Sequence, residues 1–145
     1  MATRVTGDPA RLSWTTAGAK PVSFAAYTLG ALALAGEAAV HLQQYASIFH
    51  EVRWIGPLFL ANAAASIVTI AGLAYPRTRQ LAALAGVVIS AVALASLVVS
   101  YGHGLFGWQE GGLRAPVAIA VITEVGAVIL LSAGLAASTA RLDAR

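Results

Sequence analysis

The chain has 145 residues, enough for one domain, and its hydrophobic and charged fractions are 59% and 10%, whereas soluble domains have roughly 45–50% and about 25%. This composition predicts an integral membrane protein, and the absence of cysteine excludes disulfides, thiolate metal sites and iron–sulfur clusters. The net charge of +3 comes from basic residues scattered at the ends of apolar runs, a pattern that does not predict nucleic-acid binding.

Four apolar runs are long enough to cross a bilayer, which requires about 20 residues. They cover residues 21–48, 54–75, 81–101 and 116–139. Because the connections are short, neighbouring helices should be antiparallel. The sequence therefore predicts an all-α integral membrane fold, a four-transmembrane-helix bundle with up-down-up-down topology. Residues 1–20 and 140–145 are predicted to be cytoplasmic tails, and residues 21–139 the membrane domain.

The basic residues predict the orientation of this bundle. Seven of them fall on one side, namely Arg4, Arg11, Lys20, Arg77, Arg79, Arg141 and Arg145. Only Arg53 and Arg114 fall on the other. We therefore expect both termini in the cytoplasm and a multi-pass location in the plasma (inner) membrane. The layout resembles that of many small four-helix membrane proteins from high-GC bacteria, but no motif assigns it to a named family, so no family property is carried over. We expect the membrane to be a bacterial inner membrane.

Four polar residues are predicted to share one level of the outer leaflet. Glu37 and His41 are four residues apart in the first run, hence on one helix face. At 1.5 Å per residue, Glu37, Asn62 and Glu124 each lie about 12 Å from the outer end of their helix, and His41 lies about 6 Å further out. Intramembrane ionisable groups usually face the protein interior, so the four are predicted to form a ligand-binding or proton-relay cluster. The alternative is a neutral Glu37 that is simply hydrogen-bonded to a neighbouring helix.

Two polar stripes follow helical spacing in the second and third runs. One joins Asn62, Ser66 and Thr69, and the other joins Ser96, Ser100 and His103. Both are predicted to face inward. Serine and threonine also bond the carbonyl of their own preceding turn, so packing is the competing interpretation.

All three histidines, His41, His50 and His103, fall on or near the predicted outer side. Together with the nearby carboxyl groups they are ligand types suited to a divalent metal or a bis-histidine haem. These are the candidate cofactors that the sequence offers. The run EAAVH lacks the paired histidines of a metalloprotease helix, and histidine is ordinary in loops, so loop residues without a ligand are the alternative.

The sequence contains no serine-hydrolase elbow, phosphate loop or dinucleotide fingerprint. Enzymatic activity is left open, and its absence is favoured. The leading prediction is a non-catalytic subunit or interaction partner of a larger membrane assembly, in contact with lipid and with other membrane subunits or further copies of itself. The alternative is membrane-embedded ligand, metal or haem binding, or proton-coupled transport, through the cluster of Glu37, His41, Asn62 and Glu124.

Overall fold

The computed structural model describes the backbone of residues 9–140 and the side chains of residues 22–140. Four α-helices make up most of this part: α1 (Pro9–Ser47), α2 (Ile55–Ala74), α3 (Arg79–Gly102) and α4 (Ala115–Thr139). One turn of 3-10 helix, Phe49–Glu51, joins α1 to α2. No strand is present among these residues, and their only bridge is isolated. The all-helical fold and the four helices predicted from the apolar runs are confirmed.

The first helix begins earlier than the sequence predicts. It starts at Pro9 rather than at residue 21, so residues 9–20 of the predicted N-terminal tail are helical. The apolar run identifies a membrane-spanning window, here Val22–Ser47, but a helix continues wherever its backbone groups remain paired. Proline at the first position suits a helix start. Residues 1–8 and 141–145 of the predicted tails lie outside the described residues.

All four helices are long and apolar enough to cross a membrane. Large apolar side chains cover their outward faces. Among the most exposed are Phe24, Val68, Leu81, Val98 and Ile122. An apolar surface of this extent is unfavourable in water, and it is what hydrocarbon requires. The chain is therefore a four-helix bundle whose helices are suited to a multi-pass membrane protein.

Glycines bring α1 and α4 into close contact. A Cβ atom on Gly30 would lie 2.5 Å from Leu131 Cδ2, and one on Gly134 would lie 2.6 Å from the Tyr27 ring. The Tyr27 hydroxyl is 2.9 Å from Ser138 Oγ. Since residues early in α1 meet residues late in α4, the two helices run in opposite directions. Close approach of this kind is the usual way for helices to associate in lipid.

The other neighbours in the bundle are α1 with α2, α2 with α3, and α3 with α4. Leu34 and Leu131 are fully buried at the centre, together with Ala83 and Ala127. Helices α2 and α3 approach closely near the connection between them, where a Cβ on Gly72 would lie 2.8 Å from Ala82 Cβ. This apolar core fills the half of the bundle that contains the α2–α3 connection.

The connection between α3 and α4 contains a tight turn. Leu105 and Trp108 exchange two backbone hydrogen bonds of 2.7 and 2.9 Å. The two residues between them, Phe106 and Gly107, both have positive φ, 49° and 86°, as in type I′ turns. The turn places the Trp108 ring against Phe49, with centroids 4.9 Å apart, so this connection packs onto the end of α1 and α2.

Candidate functional site

Helix α1 carries two ionisable residues into the interior of the bundle. Glu37 is 0% exposed and His41 is buried one turn further along. Two residues four apart share a helix face, and here that face points away from the exposed apolar surface. The helix thus supplies a carboxyl and an imidazole at adjacent levels.

Ser90 on α3 is the hydrogen-bond partner of Glu37. Its hydroxyl donates to Glu37 Oε2 over 2.6 Å, a distance typical of a bond to a carboxylate. Glu37 Oε1 is buried without a hydrogen-bond partner among the described residues. The bond fixes the direction of the carboxyl and ties α1 to α3.

Two contacts orient the His41 ring. Its Nδ1 lies 2.9 Å from the Glu37 carbonyl oxygen, and because a carbonyl only accepts, Nδ1 carries the proton. The opposite nitrogen, Nε2, lies 3.8 Å from Glu124 Oε1, within ion-pair range and too far for a hydrogen bond. The ring also packs on Phe59, with centroids 4.9 Å apart. His41 is therefore held so that Nε2 points toward α4.

Glu124 supplies the second carboxyl of the cluster. It is 2% exposed, and its Oε2 has no hydrogen-bond partner among the described residues. Leaving a buried polar atom unpaired costs about 1–3 kcal/mol. We refer to Glu37, His41, Ser90 and Glu124 as the buried cluster.

The buried cluster adjoins a cavity of about 390 Å³, within the range of small-molecule sites in proteins. His41, Asn62 and Glu124 line its inner end, near the cluster, and Gln44 also contributes. Apolar residues of all four helices form most of its wall. They are Val40, Ile55, Leu58, Phe59, Ala61, Ala65, Val88, Ile89, Val92, Ala93, Leu97, Pro116, Val117 and Ala120.

An ion pair stands at the other end of the cavity. Arg114 Nε and Nη2 donate to the two carboxylate oxygens of Glu110 over 3.1 and 2.8 Å, and both residues belong to the lining. These hydrogen bonds hold the pKa of Glu110 below its ordinary value. The Arg114 side chain is 37% exposed, so this end lies near the surface.

The cavity opens sideways between α2 and α3. The two helices are in contact near the connection that joins them. Further from that connection, toward the end that contains Arg114, the cavity lies between them. Its wall residues Leu58 on α2 and Val92 on α3 are 48% and 59% exposed. Since these residues belong to apolar candidate spans, the opening faces the surface that lipid would cover.

The structure brings together Glu37, His41 and Glu124, three of the four residues predicted as a cluster. Asn62, the fourth, lines the same cavity. Its Oδ1 accepts a long hydrogen bond of 3.5 Å from Ser66. The predicted inward stripe of α2 is buried at Ser66 and Thr69.

The three histidines lie in different surroundings. His50 is half exposed and sits 3.7 Å from Glu51, and His103 is exposed at the end of α3. Neither lines the cavity. Within residues 22–140 no group of three or more histidine, cysteine or acidic side chains is placed to hold a metal ion. Of the two serines in the predicted stripe of α3, Ser100 is buried, whereas Ser96 donates a hydrogen bond to the Val92 carbonyl of its own helix.

Sequence reasoning missed Ser90 and the Glu110–Arg114 pair. Ser90 is an isolated hydroxyl in an apolar run. The feature of the sequence that could have identified it is its depth along α3, which matches the depth of Glu37 along α1. Glu110 and Arg114 are four residues apart, the spacing of helical ion pairs, although here they lie in a connection.

Comparisons with protein-family models, with curated proteins and with solved structures give no match to this chain. The functional argument therefore rests on the geometry of the site. Two carboxyls and an imidazole beside an apolar cavity can hold a polar or charged group of a lipophilic molecule, or exchange a proton with it.

Proposed function

We propose that this chain is a multi-pass membrane protein that binds a lipophilic small molecule in the cavity beside the buried cluster. One observation carries the proposal. Glu124 is almost fully buried, one of its carboxyl oxygens has no hydrogen-bond partner among the described residues, and the residue lines a mostly apolar cavity of about 390 Å³.

The energetics of burial support this function. A buried carboxyl in an apolar medium is unfavourable unless it is paired, and intramembrane ionisable residues are accordingly rare outside functional sites. The Ser90 bond to Glu37 offsets part of this free energy, and nothing among the described residues does so for Glu124 Oε2. A ligand with a hydrogen-bond donor would supply the missing partner.

The proposed setting is the plasma (inner) membrane of a bacterium, with both termini cytoplasmic and the four helices crossing up, down, up and down. The distribution of basic residues supports this orientation. The cluster would then lie in the outer leaflet, and the lateral opening would admit molecules dissolved in that leaflet. Proton-coupled transport would use the same groups, and membership of a larger membrane assembly, or self-association, stays a prediction.

Cavity-filling variants test the proposed function. Ala93 lines the cavity on α3, and Ala91 on the same helix is exposed and lies outside the lining. We expect Ala93→Phe to abolish saturable binding of naphthyl-bearing probes to protein in phosphatidylcholine nanodiscs, and Ala91→Phe to retain it. Binding would be measured by equilibrium dialysis, with empty nanodiscs subtracted. If the wild-type protein shows no saturable binding, or Ala93→Phe binds as well as wild type, the proposed function is wrong.

A further inference from the structure

The two groups that α1 and α4 place next to each other in the buried cluster are both acceptors. Glu124 Oε2 is unpaired, and His41 Nε2 presents a lone pair when the ring is neutral, because Nδ1 holds the proton toward the Glu37 carbonyl. The amides of Gln44 and Asn62 contribute one acceptor and two donors each. Glu124 Oε2 and His41 Nε2 therefore both lack a hydrogen-bond donor.

The ionisable side chains at the buried cluster are mainly carboxyls. Glu37 precedes His41 by one helical turn and Glu124 Oε1 lies 3.8 Å from His41 Nε2, whereas Arg114 is the only arginine or lysine among the described lining residues. Arg114 is bound to Glu110 through two hydrogen bonds and stands at the other end of the cavity. A negatively charged head group would meet two carboxyls, and a positively charged one would be attracted by them.

His41 Nε2 and Glu124 Oε1 are acceptors that lie close together without bonding. They are 3.8 Å apart, too far to bond directly, but close enough for one donor group beside them to reach both at about 2.8 Å. A primary ammonium has three donors on one atom, so it can bond the Glu124 carboxylate and His41 Nε2 together. A hydroxyl has a single donor and can satisfy only one of them.

The wall of the cavity suits an aromatic body. The rings of Phe59, Phe49 and Trp108 follow one another along it, with centroid distances of 4.5 and 4.9 Å, and all three belong to the lining. Most of the remaining wall is aliphatic. Aromatic rings pack favourably against one another at these separations.

We infer that the cavity selects amphipathic amines: a protonated amino head would lie against Glu124 and His41, and an aromatic or aliphatic body would lie along Phe59 and Phe49. The inference deepens the proposed function and rests on it. The amine would enter from the bilayer between α2 and α3, since the exposed wall residues Leu58 and Val92 flank that side.

Three probes with one body and different heads test the head-group preference: naphthylpropylamine, naphthylpropanol and naphthylpropionate. Nanodiscs of phosphatidylcholine keep the membrane surface free of net charge. A hydrogen bond to a charged group is stronger than a neutral one, so we expect the amine to bind the wild-type protein about tenfold more tightly than the alcohol. The propionate should not show saturable binding.

Glu124→Gln should remove this preference. It keeps the size of the side chain and removes its charge, so amine affinity should fall about tenfold, to that of the alcohol. Alcohol affinity should stay within about threefold, because the amide retains an acceptor. Glu51→Gln is the matched control, since the Glu51 side chain is 85% exposed and lies outside the cavity lining. It should bind all three probes like the wild type.

A second measurement uses the unmodified protein. Dicyclohexylcarbodiimide modifies buried carboxyls, and mass spectrometry can locate its adduct at Glu124. Saturating naphthylpropylamine should slow this labelling strongly, and naphthylpropanol should slow it less. Equal binding of amine and alcohol, with both blocked by Ala93→Phe, would overturn the inference and leave the proposed function standing. Absence of amine protection at Glu124 would also overturn it, and binding of none of the probes would overturn the proposed function itself.

Discussion

The Ser90 hydroxyl of α3 donates a 2.6 Å hydrogen bond to Glu37 Oε2 of α1, and both residues are 0% exposed. Helices α1 and α3 are diagonal neighbours that otherwise have few contacts. This bond therefore crosses the middle of the bundle and adds a polar contact to the few contacts that join these two helices.

Removal of the Ser90 hydroxyl should destabilise the bundle. Ser90→Ala leaves both oxygens of Glu37 without a partner among the described residues. Hydrogen bonds between membrane helices contribute about 0.6 kcal/mol on average, but an unsatisfied buried polar group costs about 1–3 kcal/mol. We expect a loss of about 1–2 kcal/mol in the free energy of unfolding, measured in mixed micelles. Ser132→Ala, on an exposed position of α4, should change it by less than about 0.5 kcal/mol.

The glycines of α4 provide a matched test of the α1–α4 contact. In Gly134→Ala the new methyl would lie 2.6–3.1 Å from three atoms of the Tyr27 ring. The ring cannot easily move away, because the Tyr27 hydroxyl is in contact with Ser138. Overpacking of this kind costs about 1–3 kcal/mol. In Gly126→Ala the nearest atom would be Ala33 Cβ at 3.7 Å, so the gain in helix propensity, up to about 1 kcal/mol, should dominate. In thermal unfolding in detergent, the Tm of Gly134→Ala should be lower than that of the wild type, and the Tm of Gly126→Ala should be higher.

The Glu110–Arg114 ion pair predicts a dependence of stability on pH. The hydrogen bonds from Arg114 lower the pKa of Glu110 from its ordinary value of 4.5. A carboxyl with a lowered pKa in the folded state adds stability that is present above its unfolded pKa and is lost as the pH falls through its folded pKa. Because Arg114 is 37% exposed, we expect about 1 kcal/mol or less. Glu110→Gln should be less stable than wild type at pH 7, and the difference should shrink as the pH falls below 4.5 and disappear once the pH is below the lowered pKa of the folded state. A difference that persists at acid pH would contradict the assignment.

Reporter fusions test the proposed orientation. Both termini and the α2–α3 connection should be cytoplasmic, and the connections near Arg53 and Arg114 should lie outside, because basic residues favour the cytoplasmic side. In a bacterial host, green fluorescent protein at the C-terminus should fluoresce, and alkaline phosphatase at the same position should be inactive. Phosphatase inserted near Gly112, in the connection of α3 to α4, should be active. The opposite result would show the inverted orientation.

Much of the fold and part of the site follow from elementary quantities. Four apolar runs of membrane-spanning length predict four helices, and the rise per residue predicts that Glu37 and Glu124 share one level. The i, i+4 spacing places His41 beside Glu37. Because exposure of a carboxyl to hydrocarbon is unfavourable, both acids turn inward, as their exposures of 0% and 2% show.

The remaining features depend on how the helices rotate and tilt. Ser90 becomes a partner of Glu37 only because α3 turns that face inward, and alanine and valine around it give no periodic signal. The cavity exists because α2 and α3 separate beyond Thr69, a relation between two helices that neither segment encodes alone. Pro9 as the start of α1 was missed because hydropathy detects apolar windows and not helix ends.

The glycine-lined contact of α1 with α4 also has a mechanical consequence. With side chains meeting bare backbone at Gly30 and Gly134, this pair has little freedom to slide or roll, whereas α2 and α3 diverge. A bulky ligand should therefore be accommodated by movement of α2 relative to α3. The chain has no cysteine, so spin labels can be attached to single cysteines introduced at chosen positions.

Labels at Leu58 and Val92 should move apart by about 2 Å or more when a pyrenyl amine replaces the naphthyl one. Labels at Leu32 and Ile129, exposed on α1 and α4, should keep their separation. Equal changes in both pairs would mean that the whole bundle expands. A change in the first pair alone would mean that α1 and α4 stay fixed, while α2 and α3 move apart to accommodate the larger ligand.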